Sequence, residues 1–525
     1  MRSRIAKLLS PSGYLEWTIR RPAAVIGIAL AVSVFFAWQI PHLSFKTSIY
    51  DLEIEDLPET ARYQDFKKLF GSDEIIRIVV KADNVFETAT FAKIGELAEA
   101  VSKIDGVRRV VSLPGIKQAV DLSGKWRLDK FAAVVSSVRL FDKNLFSDDR
   151  KTTALTLVLK SDSEPDRIIP QVERLISTAG KDLSIYQVGM PLISRALVRF
   201  TEKDFFRLPP ITFLLIAVIL FFLFRKVQYI LIPLVCVSLA LVWTFGLMAL
   251  LKIPLSMLTM IVPVFLIAVG TAYCLHIVSE YLTCIREADS PQAASKATFT
   301  NISFPTALAV LTTIIGLGSL LVNRIPTIRE FALFSCFGMF SLLVITLGVL
   351  PAALALIPLP LEKRYREKRA PDFFDRFIEK VIHIDLNKQK VALPILGAIV
   401  VICSIGILRI RVETNPIGYF KSETPVIQHF HDIYRDLSGS FPINVVVESK
   451  DNDYFEDPRH VSDIVRIQEF LVTLPGVDKA ISFADYMKLV NYVLNEFDPK
   501  FYALPEEGFE SRMVINNYAT ILGQD

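Results

Sequence analysis

Cysteine, histidine and tryptophan are scarce in this sequence: five, six and four of 525 residues. Cys236, Cys274, Cys336 and Cys403 lie in apolar runs, Cys284 closely follows one, and the long polar regions hold none. That distribution excludes the disulfide framework of a small secreted scaffold. No CxxC or Cys/His zinc spacing occurs, and His429 and His431, the nearest pair, would point to different faces of a helix. No metal site is therefore expected. Charge of one sign is also lacking: 58 Lys and Arg against 55 Asp and Glu leave a net charge of +3. Without an overall basic field, no nucleic-acid partner is expected. A GxxxxGK[ST] loop is missing, which argues against ATP hydrolysis as an energy source. Neither GxSxG, HExxH nor a paired-carboxylate constellation stands out, so neither an enzyme nor a cofactor is expected.

What is abundant is apolar sequence. Hydrophobic residues make up 52% of the chain, and the mean hydropathy of +0.42 is unusual for a soluble protein. A bilayer core takes about 20 apolar residues per helix. Seven runs meet or approach that length: 23–40, 208–224, 229–251, 257–281, 305–322, 331–357 and 391–408. Arg2, Arg4, Lys7, Arg20 and Arg21 precede the first, which is too long for a signal peptide and lacks an evident cleavage site. The positive-inside rule then places the N-terminus in the cytoplasm. Arg225 and Lys226 after the second span, and "LEKRYREKR" (361–369) after the sixth, fall on the same side. Six segments follow: an N-terminal tail and first span (1–41), an outer domain (42–207), a five-span bundle (208–357), a basic cytoplasmic linker (358–390), a seventh span (391–408) and a second outer domain (409–525).

The two outer regions resemble each other. Glu59-Thr60 matches Glu423-Thr424, "IIRIVVKA" at 75–82 matches "INVVVESK" at 443–450, and Gly106-Val107 matches Gly476-Val477. The first region reads as two strand–helix–strand units, 75–112 and 152–188, expected to form two small sheets with helices on one face. Between them, 113–151 has no clean period and reads as a surface insertion. In the second region, "SRMVINNYA" (511–519) reads as the counterpart of the strand starting at Thr152. A domain that stops there is incomplete, so the pattern predicts a longer polypeptide whose second repeat has only begun.

One span, an outer domain, five spans and a restart resemble the RND (resistance-nodulation-division) transporters, closest to the MMPL-like branch that exports hydrophobic compounds. The strongest residues are Thr312-Thr313, Gly316, Pro326, Ile328-Arg329-Glu330-Phe331, Gly338 and Pro351, with "GMPLIS" (189–194) before the second span. The resemblance implies an α-helical membrane bundle with α+β, porter-like extracytoplasmic domains: an RND-type half plus the start of a second. It further implies a multi-pass protein of the bacterial inner membrane exporting hydrophobic or amphiphilic compounds or lipids, driven by an ion gradient. Membrane lipids and such a substrate are the expected partners, and a homo-oligomer is compatible. Two alternatives share the layout: a lipid- or sterol-sensing protein that does not pump, and an accessory subunit of protein translocation. Physically, Gly316, Gly318 and Gly338 permit close helix approach in lipid, and Thr312 and Thr313 can hydrogen-bond across helices or to their own turn.

The fourth span ends in "GTAYCLHIVSEY" (270–281). The resembled branch carries a Gly-x-Asp-Tyr motif here, its aspartate thought to carry the coupling proton. This chain has Gly270-Thr271-Ala272-Tyr273, with alanine at the aspartate position. Ala272, His276 and Glu280, four apart, share a helix face. A charge at mid-bilayer costs about 2.5–3.5 kcal/mol on insertion scales. Imidazole avoids much of that cost by staying neutral, with an unperturbed pKa of about 6.5. His276 and Glu280, with Tyr273 beside them, are thus the candidate ion-coupling residues. Set against that, Glu280 can snorkel to the interface and a backbone carbonyl can satisfy His276.

Overall fold

A computed structural model describes residues 11–45, 54, 57–70, 75–121, 124–160, 163–179, 183–358, 373–410, 415–439, 442–451 and 453–522. The basic stretch at 361–369 therefore lies outside the described residues. In chain order, α1 (Pro11–Arg20), α2 (Pro22–Gln39) and α3 (Pro58–Phe70) lead to β1 (Ile75–Lys81). Then come α4 (Thr88–Ser102), β2 (Val107–Val111), α5 (Leu113–Val120), α6 (Leu128–Ser136) and β3 (Thr152–Leu159). Next are α7 (Pro165–Thr178), β4 (Ser184–Val188), α8 (Met190–Phe224), α9 (Val227–Leu250) and α10 (Val262–Cys284). They are followed by α11 (Pro291–Gly318), α12 (Pro326–Leu356), α13 (Phe373–Asn387) and α14 (Gln389–Ile407). The last four helices are α15 (Pro425–Asp436), α16 (Pro458–Val472), α17 (Phe483–Leu494) and α18 (Gly508–Leu522). The chain divides into two compact units, Met1–Glu55 with Val198–Asn415, and Asp56–Leu197 with Pro416–Asp525.

Among the described residues, seven helices are long and apolar enough to cross a membrane, each overlapping an expected run. Two begin more than ten residues before the expected run. The second span is the end of the 35-residue α8. The fifth belongs to α11, whose start at Pro291 is set by Ser290: its hydroxyl accepts from the Ala293 amide at 3.1 Å, with proline in the first turn. The helices are joined by polar side chains as well as apolar packing. Ser33 of α2 donates to Ala29 O at 2.7 Å, and the Trp243 indole of α9 donates to the Ser33 hydroxyl at 2.8 Å. Tyr281 of α10 donates to Leu354 O of α12 at 3.0 Å. Gly338 of α12 sits where a Cβ would lie 2.5 Å from Leu266 Cδ1 and 3.0 Å from Thr244 Oγ1, so a larger residue would force Leu266 to shift.

The second unit corrects the expectation of two small sheets. Among the described residues there is one four-stranded antiparallel sheet, in order β2-β3-β1-β4. β1 pairs with β3 from Ile75↔Val158 to Lys81↔Thr152, and with β4 from Arg77↔Val188 to Lys81↔Ser184. The two strand–helix–strand units therefore interleave, each inserting one strand between the two of the other. The reason is that β1 is buried on both faces, and a two-stranded sheet would leave one of its edges open. Ile76, Ile78 and Val80 face a core shared with Leu97 and Val101 of α4 and Ile168 and Val172 of α7.

Two further expectations are corrected here. Residues 113–151 are not a surface insertion. They form α5, α6 and a looped segment, and they bury Leu113, Phe131, Val135, Phe141 and Phe146 in the same core. The apolar spacing was present but broken by turns, so no single period spans it. In the second long polar region, 443–450 is assigned no strand and no pairing among the described residues, and Ile443 is 84% exposed. Gly508–Leu522 is helix rather than strand: Ser511 and Val514, three apart, are both buried on one face. Leu489 and Tyr492 of α17 are buried in the core beneath this sheet, and Tyr492 Oη lies 3.1 Å from the Ser137 hydroxyl. The second polar region therefore completes the first polar region's core.

Candidate functional site in the membrane bundle

α10 turns a packed face and an open face in different directions. Gly270, Cys274, Ile277, Val278 and Tyr281 are buried. Ala268, Ala272, His276, Ser279 and Thr283 are exposed and form one stripe along the helix. Ala272 and His276 are thus on the same face, as their spacing requires. Glu280 is half-buried at the edge of that face, and its Oε1 accepts from Asn301 Nδ2 of α11 at 3.0 Å and from Cys284 Sγ at 3.7 Å. Among the described residues, no hydrogen bond joins His276 to Glu280. An Asn–carboxylate bond is charge-assisted and ties the end of α10 to α11.

Two turns earlier a second bond links the same helices. Tyr273 Oη lies 3.2 Å from Thr313 Oγ1. Thr313 Oγ1 also lies 2.8 Å from Ala309 O, to which it donates, which leaves Tyr273 as donor to Thr313. Thr312 donates to Ala309 O at 2.9 Å and is exposed. Gly316, one turn on, has nothing within 4 Å of where a Cβ would stand, whereas Gly338 is tightly enclosed. Arg329 and Glu330 are half-buried near the start of α12. Sequence reasoning missed Asn301, which lies before the apolar run taken as the fifth span. The signal that could have found it is the Ser290-Pro291 start, which extends the helix through Asn301.

The second unit holds a polar cleft of about 610 Å³ lined by Arg139, Asp142, Lys143, Arg435, Lys479 and Lys488, among others. The Lys479 ammonium donates to Arg139 O at 2.7 Å and to the carbonyl of Asp142. Burial holds that lysine below its usual range. The Ser438 amide and hydroxyl both donate to Lys143 O, at 2.6 and 2.9 Å.

Seven membrane-length helices joined to an antiparallel sheet domain define a multi-pass membrane protein with a small α+β lobe. The chain belongs to the MMPL family, whose model matches residues 58–377. It is similar to the membrane protein MJ1562 of Methanocaldococcus jannaschii, at 21% identity over 377 residues that cover 66% of this chain and 94% of that protein. It is also similar to the membrane protein YdgH of Bacillus subtilis, at 24% identity over 268 residues that cover 49% of this chain and 27% of that protein.

Proposed function

We propose that this chain exports hydrophobic or amphiphilic compounds, lipids among them, across the bacterial inner membrane, driven by an ion gradient. One observation carries the reading: the stripe Ala272, His276, Ser279 and Thr283 runs along an open face of a membrane helix. Polar groups facing hydrocarbon are costly unless they serve a water path or a partner helix. His276 supplies that stripe with an imidazole, the side chain we assign to proton coupling. Glu280, bonded to Asn301, stands one turn further along as the next acceptor. The polar cleft beside Lys479 suits the polar end of an amphiphile, and rocking of helices around the stripe would alternate access.

A second reading, lipid sensing without pumping, is favoured by Ala272 at the position where the resembled branch has aspartate. Reconstitution into liposomes separates the two. Under an imposed proton gradient, a fluorescent phospholipid or lipophilic dye should move in the wild type. It should stop with an uncoupler and with His276→Ala, while His276→Ala stays folded. Gradient-independent binding with no movement would favour the sensor, and a fully active His276→Ala would remove His276 from the mechanism.

A further inference from the structure

α1 is not a loose tail. Thr18 and Ile19 are buried, and the Tyr14 hydroxyl comes to 3.0 Å from where a Cβ on Gly348 of α12 would stand. Glu16 pairs with Lys296 of α11 at 3.0 Å. The first turns of α11 are fixed in turn to the end of α12: Gln292 Nε2 donates to Ala355 O at 3.3 Å, and Ser295 donates to Pro351 O at 3.0 Å. Between these elements lies a groove of about 450 Å³, lined by Glu16, Ile19, Arg20, Pro22, Gln292, Ala293 and Lys296.

Its depth in the bilayer follows from its walls. The apolar run of α2 begins at Pro22, and that of α12 ends at Leu356, next to the carbonyl that Gln292 holds. The groove therefore sits at the rim of the hydrocarbon, where phospholipid headgroups lie. Its charge is unequal: two cations, Lys296 and Arg20, share one carboxylate. Glu16 is held below the usual carboxylate range, first by the hydrogen bond from Lys296 and then by the charges of Lys296 and Arg20. Arg20 stands exposed at the rim, with the exposed Arg21 beside it. Ile19 and Pro22 give the same groove an apolar side.

We propose that this groove binds the headgroup of an anionic phospholipid with a hydroxylated headgroup, of the phosphatidylglycerol kind. Arg20 and Lys296 hold the phosphodiester through charge-assisted bonds. Glu16 accepts from headgroup hydroxyls, which a choline headgroup cannot offer. Basic pockets between membrane helices take anionic headgroups by this chemistry. An occupied groove would clasp α1 to α11 and so depend on membrane composition.

The test uses the purified full chain in detergent, with thermal unfolding read against added short-chain phosphatidylglycerol, phosphatidylcholine or inorganic phosphate. Phosphatidylglycerol alone should raise the unfolding temperature. In Arg20→Gln the concentration for half the effect should rise about tenfold, the cost of one charge-assisted contact. Lys296→Gln should do the same; because it also breaks the pair with Glu16, Arg20→Gln is the deciding variant. An equal effect of phosphatidylcholine, an equal effect of phosphate, or an unchanged response in Arg20→Gln would overturn the assignment.

Discussion

The rings of Tyr186 on β4 and His429 on α15 stack at 4.2 Å with an interplanar angle of 18°. This contact, with the ion pairs of Lys81 to Asp436 at 2.8 Å and Asp432 at 3.2 Å, holds α15 against the sheet. Thr152 Oγ1 adds a bond to Asp436 Oδ2 at 3.2 Å. Burial pushes the His429 imidazole below its ordinary 6.5, with Lys81 acting in the same direction and Asp432 opposing. Sequence pattern did not bring the two together, because the pairing joins positions far apart in the chain.

A pH dependence follows. The folded state favours neutral His429, so its contribution is complete above the unfolded-state value of about 6.5 and is lost as pH falls below it. Unfolding temperature should therefore decline from pH 7 towards pH 5.5. His429→Phe keeps a ring against Tyr186 and has nothing to protonate. It should flatten that decline, as read by thermal unfolding at both pH values. An equal slope in the variant would assign the effect to other groups.

The membrane glycines divide by their surroundings. Gly338→Ala drives a methyl group into Leu266 and Thr244 and should destabilise the bundle by about 1–3 kcal/mol, the usual range for overpacking. Gly316→Ala meets open space and should be nearly neutral towards the isolated chain. Both variants belong in one denaturation series in detergent. If Gly316→Ala proved the worse of the two, α11 would need a neighbour at that turn.

The spans were legible because a lipid solvent imposes one strong rule, an apolar run of fixed length, and each of the seven runs obeys it. Strands 75–81 and 152–159 were legible as apolar β-branched runs, and Gly106 with φ +93 marks the turn before β2. The single sheet was not legible, because strand order depends on which edges are paired. The core role of 113–151 was hidden because Phe131, Phe141 and Phe146 come from helix, turn and bridge in succession. The repeat match led to an expected strand over 511–519. There the local helical spacing of Ser511 and Val514 prevailed over the analogy. At the site, the shared face of Ala272 and His276 was readable from spacing alone. Asn301 was not, since its partner lies across a helix pair.

The Glu280–Asn301 bond gives the remaining test. Asn301 donates across 3.0 Å from α11 to a carboxylate on α10. Asn301→Ala leaves Glu280 with only the weak thiol of Cys284, so the loss should reach about 1–3 kcal/mol, the range for an orphaned acceptor, and the lower end where solvent reaches the group. Glu280→Gln keeps an amide oxygen for Asn301 and removes the charge, so it should fold nearly as well as the wild type. The pair of variants therefore splits packing from protonation. Asn301→Ala lowers the unfolding temperature, while Glu280→Gln leaves it and slows gradient-driven movement in the liposome assay. If Glu280→Gln moved substrate at the wild-type rate, the carboxylate would serve only to fasten α10 to α11.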